Sequence, residues 1–476
     1  MSYVNIDNGI VFVFILITLV IGIVAGRNTK TLQDYAIANR VYGTTTLVLT
    51  YLATDIGGGS VLSDAASVFT RGIIVNISIT SLIITFIIRA IFIAPKIAYF
   101  KNCLTMGEVM GSLYGTFARV LTGMLGCLNA TILAGIQLIA LGIICESLLG
   151  IRATYGIVIG SLLITFYATW GGIKAITLTD VFQFIVLIVF IPLIASIALK
   201  EVGGINELFT KLPSEKLMIL GHERFYRYVT YFFIWLFQLG MMDPAIVQRM
   251  LMASSKYTLR NKYLIIACFD PIFRFIVMLI GLAGYVLYPS IAAKWIVPHI
   301  VQTLLPVGLK GLAITGLLAV VMSSADSYIH VAGLTFIHDI VSPFCQRRSH
   351  LFNALSWVRY ATVCVGFIAT MIGISVVDIS YLGFKALELI GPMLMFPFVA
   401  GVVGLRPEKK PFFIALVCTL IAFIISTLLL PDLYSPLAIL ISTVTNGMTF
   451  FCTHFYINKG FKTIDRMAEK YLSEYR

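Results

Sequence analysis

The sequence predicts an all-α polytopic membrane protein with about thirteen transmembrane helices. Three observations carry that fold class. The 476-residue chain is 59% hydrophobic and only 12% charged, whereas a soluble domain carries roughly 25% charged residues. Apolar windows of about 18–25 residues, long enough to cross a bilayer core, recur along its whole length. Gly, Pro and charged residues punctuate the intervals between them. Helices fit such windows because they satisfy their own backbone groups within lipid.

Taken in order, the expected spans are 9–26, 44–70, 73–95, 118–148, 153–170, 178–199, 227–248, 262–288, 308–340, 357–376, 380–404, 411–430 and 435–457. The first is too long for the apolar region of a signal peptide and follows no basic stretch, so it reads as a retained helix. The connections after odd-numbered spans and the tail hold the larger share of Lys and Arg. That bias places the N-terminus outside and the tail, 458–476, in the cytoplasm. It also accounts for the net charge of +12 without a nucleic-acid partner; the bilayer is the partner expected. The eight cysteines show neither CxxC nor paired-loop spacing and read as buried thiols, with no disulfide or metal site.

Two spans carry interruptions that an ordinary apolar helix avoids. In the second, "ATDIGGG" sets Asp55 before Gly57, Gly58 and Gly59; in the seventh, "FQLGMMDPAIVQR" holds Gly240, Asp243 and Pro244. Glycine weakens a helix by about 1 kcal/mol relative to alanine. Proline lacks an N–H donor and disfavours helix at the preceding residue. Paired breaks in the two halves of a chain point to a transporter's midplane site. They divide the single domain, 1–476, into an extra first helix (9–26), two five-helix repeats (44–199 and 227–404) and two extra helices (411–457). Close helix packing is the plainer reading of the glycines alone.

In the ninth span, "AVVMSSADS", Val320, Ser323 and Ser324 share one helix face. Their carbonyl and hydroxyls suit a hard cation, although intramembrane serines also bond back to carbonyls one turn earlier. "TWGGIKAITLTDVFQ", between spans five and six, places Asp180 where it would cap a helix or line an ion route. Arg89, Arg274 and Lys385 are expected to pair or snorkel, Lys385 with Glu388. His330 and His338 are expected to be hydrogen-bonded helix residues. No Walker A, HExxH or nucleophile-elbow pattern occurs, which argues against an enzyme and against ATP-driven transport.

Together "DYAIANR", "GGIKAITLTDVFQ", "DPAIVQR" and "AVVMSSADS" resemble the sodium:solute symporter family, in its order and over nearly the whole chain. "ATDIGGG" and "MSSADS" look most similar to its high-affinity choline branch, although Asp55 and Asp243 stand where that branch has tryptophans. The resemblance implies a leucine-transporter-type fold of inverted five-helix repeats working by alternating access. It implies sodium as coupling ion, held by carbonyls of Ala53, Ile56 and Val320 and hydroxyls of Ser323 and Ser324, with Asp180 on the exit route. Val320 replaces the family's usual alanine but would contribute only its carbonyl. Pro244 and Arg249 match the family's seventh-span motif.

The small organic substrate is expected between the two breaks, near Thr54, Asp55, Gly57, Gly58, Gln238 and Asp243. Two carboxylates favour an amino acid or amine; a sugar, carboxylate or vitamin is the alternative, and either aspartate could instead cap a helix fragment. A membrane sensor on a transporter fold is the rival from another class. The short tail leads us to expect no appended catalytic domain, so sensing would need a separate partner. The location expected is a plasma membrane, the inner membrane of a bacterium.

Overall fold

The computed structural model describes residues 6–238, 241–345, 353–376, 379–405, 408–430 and 436–460. Among these, nine helices are long and apolar enough to cross a membrane. The two interrupted spans supply shorter pieces.

Helix α1 is Ile6–Gly26. The second span is split into α2a, Thr44–Asp55, and α2b, Gly58–Arg71. Helix α3, Asn76–Ile88, runs on through a π-helical segment, Arg89–Ile93, to Ile97. Helix α4 is Thr116–Leu148. The run Ala153–Val202 divides at Gly172, whose φ of 57° and ψ of −150° interrupt it, into α5 (153–171) and α6 (173–202). A side chain at Gly172 would collide with Tyr35, 2.5 Å from the Cβ position. A left-handed φ and a crowded Cβ both call for glycine there.

The seventh span is likewise split, into α7a, Phe225–Gln238, and α7b, Pro244–Leu251. Then follow α8, Lys256–Leu287; α9, Leu309–Thr335; α10, Ala354–Ser375; α11, Ile379–Val403; α12, Lys409–Leu429; and α13, Pro436–Asn458. The loop expected outside after α6 forms two short helices, Ile205–Lys211 and Ser214–Leu217.

Burial separates centre from periphery. In α9 94% of the apolar window is buried, against 28% in α1 and α12. Helix α9 is therefore the central post, packed against α4, α5–α6 and α10, and its polar side chains can only face protein. Helix α8 packs along both α2a and α2b, which positions its charged residues beside the break. Just beyond α9, the π-helical segment Phe336–Val341 is tied by polar contacts. His338 meets Glu108 at 2.9 Å, and Asp339 meets Arg119 at 3.3 Å and accepts from the Thr105 hydroxyl at 2.7 Å. Burial pushes the Glu108 carboxyl up, but the His338 contact and the Leu104 N–H outweigh it and hold the group below its ordinary value.

Both histidine expectations agree with the geometry, His330 lying 3.0 Å from the Tyr35 carbonyl. All eight cysteines are free, but Cys268, Cys364 and Cys452 are exposed rather than buried. On apolar membrane helices such positions can face lipid. The Lys385–Glu388 pairing falls on side chains outside the described set, and Gly240 lies outside the described residues.

Candidate functional site: an oxygen cradle between a broken helix and the central post

The break in α2 lies at Ile56 (φ −86°, ψ 56°) and Gly57 (φ −73°, ψ 165°). Helical bonding resumes beyond it, with Val61 donating to the Gly57 carbonyl. The carbonyls just before the break therefore turn to α9. The Ser323 hydroxyl donates to the Ala53 carbonyl at 2.7 Å and the Ser324 hydroxyl to the Thr54 carbonyl at 2.9 Å. Both hydroxyls also lie near the Val320 carbonyl, at 3.2 and 3.4 Å. Every residue of this group is buried.

Four residues of the expected sodium set thus converge: Ala53, Val320, Ser323 and Ser324. Ile56 occupies the joint itself, its amide bonded to Leu52. Thr54, expected on the substrate side, belongs with the cradle through its carbonyl. Neutral oxygens only, from carbonyls and hydroxyls, suit a hard cation. Gly57 closes the arrangement: a Cβ there would stand 2.4 Å from Ser324 Oγ and 3.1 Å from Gln137 Nε2. The glycine thus permits backbone to lie directly on the serine.

Beside the cradle lies a wholly buried ionic network. Arg249 of α7b reaches Thr54 Oγ1 at 2.5 Å, Ser327 Oγ at 2.7 Å and Asp180 Oδ2 at 3.0 Å. Asp180 also accepts from the Thr50 hydroxyl. The helix-capping alternative for Asp180 is corrected by this placement. The residue sits inside α6, beyond the Gly172 break, with no exposure. Removing one partner of such a pair costs about 3–5 kcal/mol, because the other charge is left buried. One guanidinium thereby joins α7b to α2a, α6 and α9.

The seventh-span break is built differently. Asp243 is the N-cap of α7b, its Oδ1 accepting from Ala245 N at 2.7 Å and Ile246 N at 3.3 Å, with Pro244 opening the helix. Its Oδ2 accepts from the Tyr328 hydroxyl of α9 at 2.9 Å. The capping alternative is therefore the one its geometry supports. Gln238, at the end of α7a, packs on α11 at Gly391.

Asp55 faces α8. Arg274 contacts Asp55 at 3.1 Å, Asp64 at 3.2 Å and Asp270 at 2.9 Å. Since Asp55 ends α2a and Asp64 belongs to α2b, one arginine braces both sides of the break. Arg274 pairs, as expected for it, but the three-carboxylate cluster was not foreseen. Asp270 and Arg274 stand at i and i+4 around Pro271, a spacing that could have flagged it. Gln137, Tyr328, Ser327 and Thr50 were also missed, being ordinary helix residues until the fold gathers them. Gly58 and Gly59 begin α2b.

The chain is similar to the sodium-coupled monocarboxylate transporter 1 of Xenopus laevis, 24% identical over 82% of this chain and 68% of that protein. It is 23% identical to the high-affinity choline transporter 1 of Caenorhabditis elegans, over 83% and 73% of the two chains. With the sodium/proline symporter of Escherichia coli (strain K12) it shares 22% identity over 81% of each. A substrate-bound, outward-open sodium-coupled sialic acid symporter superposes with a TM-score of 0.80 at 19% identity, covering 96% of this chain and 99% of that one. MhsT, solved in complex with L-phenylalanine, gives a TM-score of 0.54 at 15% identity, over 86% and 97%. The fold is thus the leucine-transporter type expected from the sequence. With the family model matching residues 35–418, the chain belongs to the sodium:solute symporter family.

Proposed function

We propose that the protein is a secondary active transporter in which sodium, bound at the α2–α9 cradle, drives uptake of a small organic solute by alternating access. The observation that carries this reading is the hydrogen-bonded meeting of Ala53, Thr54, Ser323, Ser324 and the Val320 carbonyl across the break. Sodium there would bridge α2a and α9 and favour the arrangement that brings them together. Each charge carried inward draws about 2.3 kcal/mol per 100 mV from the membrane potential. Asp180, paired to Arg249, lies beside the cradle, consistent with a role on the ion's exit route.

The solute class favoured is an amino acid or amine. Asp55, Asp64 and Asp270 converge on one Arg274, so three carboxylates gather beside the break. Asp55 and Asp64 keep partial exposure, at 19% and 29% of their side chains, and can meet an ammonium group. Thr54, Gly57, Gly58, Gln238 and Asp243 belong to the same region as backbone and shaping residues. The orientation we favour is N-terminus outside in a plasma membrane, the inner membrane of a bacterium.

Uptake into proteoliposomes from a panel of amino acids, amines, sugars and carboxylates, with and without an inward sodium gradient, tests the reading. Sodium-driven accumulation of a cationic or zwitterionic solute is expected. Accumulation indifferent to sodium would sink the coupling, and varying external pH at fixed sodium identifies a proton in its place.

A further inference from the structure

A second polar group lies in the interior, between α2a, α3 and α8, and takes no part in the cradle. Lys262 has no exposed surface, and its Nζ has no hydrogen-bond partner. It rests over two rings, 4.4 Å from the Tyr51 centroid and 4.8 Å from that of Tyr263. Arg89 comes from α3 and is only 1% exposed. Its Nη1 donates to the Tyr51 hydroxyl at 2.9 Å, and its guanidinium carbon lies 5.5 Å from the Tyr263 centroid. The Tyr263 hydroxyl is buried beside the Arg89 guanidinium, from which it can accept, and its own proton has no acceptor. Arg89 also opens the π-helical segment of α3, a distortion frequent at functional sites.

Lysine is almost never fully buried unless paired, and here two cations share one tyrosine ring pair. Ring faces attract a cation but give an ammonium no acceptor. Lys262 and Arg89 can only donate, and the Tyr263 hydroxyl has its donor to offer. The Asp55 carboxylate acts on both cations but is itself paired with Arg274, so the lining of donors keeps a positive charge that recognises an anion. One negative ion would turn the repulsion between the two cations into attraction for both.

We propose that Lys262, Arg89 and the Tyr263 hydroxyl form a binding site for a small monovalent anion, chloride in the first instance, within the α2a–α3–α8 bundle. Tyr51 belongs to α2a, two residues before Ala53. Occupancy would thus hold against α3 and α8 the segment that carries part of the cation cradle.

Thermal unfolding of the purified full-length protein tests this without reference to transport. Chloride is titrated against gluconate at constant sodium and ionic strength. A saturable rise of about 2–4 °C that disappears in Lys262→Met is expected. Identical melting curves in chloride, gluconate and acetate would overturn the site, as would a chloride effect that survives in Lys262→Met. Should that variant fail to fold, Tyr263→Phe serves instead: a several-fold rise in half-saturating chloride supports the site and an unchanged value rejects it. Acetate distinguishes the sources, since protection by acetate alone keeps the anion site but assigns it to a carboxylate group. If uptake by Lys262→Gln changes while the wild type is indifferent to all three anions, Lys262 is a counter-charge for the acidic cluster and the proposal fails.

Discussion

The two broken helices meet the same difficulty in different ways. In α2 the break exposes backbone carbonyls, and their partners are hydroxyls on another helix, α9. In α7 the fragment caps itself, Asp243 binding the first free amides of α7b. The first arrangement leaves oxygens shared between two helices, where a cation can compete for them. The second satisfies the helix end locally, with one carboxylate oxygen committed to the cap. On the proposed function, ion chemistry concentrates at α2, while α7 supplies a capped edge and, through Arg249, a link to the cradle.

That link gives the largest expected effect. Arg249→Gln leaves Asp180 buried without its cation and should destabilise the protein by about 3–5 kcal/mol. The loss would appear as a lower unfolding temperature and poor recovery of folded protein. If the breaks were energetically independent, the variant would melt like the wild type. Next comes the cradle. Replacing Ser323 and Ser324 together by alanine removes two oxygens and should raise the half-saturating sodium for uptake roughly a hundredfold, about 3 kcal/mol. Unchanged sodium activation would reject the placement of the ion. Gly57→Ala is the third step down. Its Cβ would stand 2.4 Å from Ser324 Oγ, so overpacking of about 1–3 kcal/mol is expected. Sodium titration should register it more strongly than substrate titration.

The sequence was most legible where composition and backbone chemistry act locally. Apolar windows gave the spans to within a few residues, because a helix in lipid must bond internally over its whole length. Triple glycine and Asp-Pro announced the two breaks, because those residues alter the backbone wherever they stand. The serines of α9 were legible as a face, since helical periodicity sets them together. The Arg274 cluster was not: it gathers Asp64 from α2b and Asp55 from α2a onto α8, and only tertiary packing creates that meeting. Asp180 was ambiguous for a similar reason. "TLTD" reads as a helix start, yet the true break is at Gly172, so the aspartate lies within α6 and is buried by distant Arg249.

The smallest effect addresses Asp243, where capping and substrate binding can be separated. Asparagine keeps a side-chain oxygen that can accept from the Ala245 and Ile246 amides, whereas alanine keeps none. Capping alone predicts that Asp243→Ala loses about 1 kcal/mol of stability and Asp243→Asn only a few tenths, with both variants still transporting. Direct contact with a cationic solute predicts instead that the two variants lose substrate affinity together, since both remove the charge. Melting temperatures and half-saturating substrate concentrations, read on the same preparations, decide between them. A stable Asp243→Asn with nearly normal substrate affinity would leave Asp55 and its neighbours on Arg274 as the acidic groups facing the solute. The contrast between a self-capped α7 and an ion-bridged α2 would then hold at the substrate site as well.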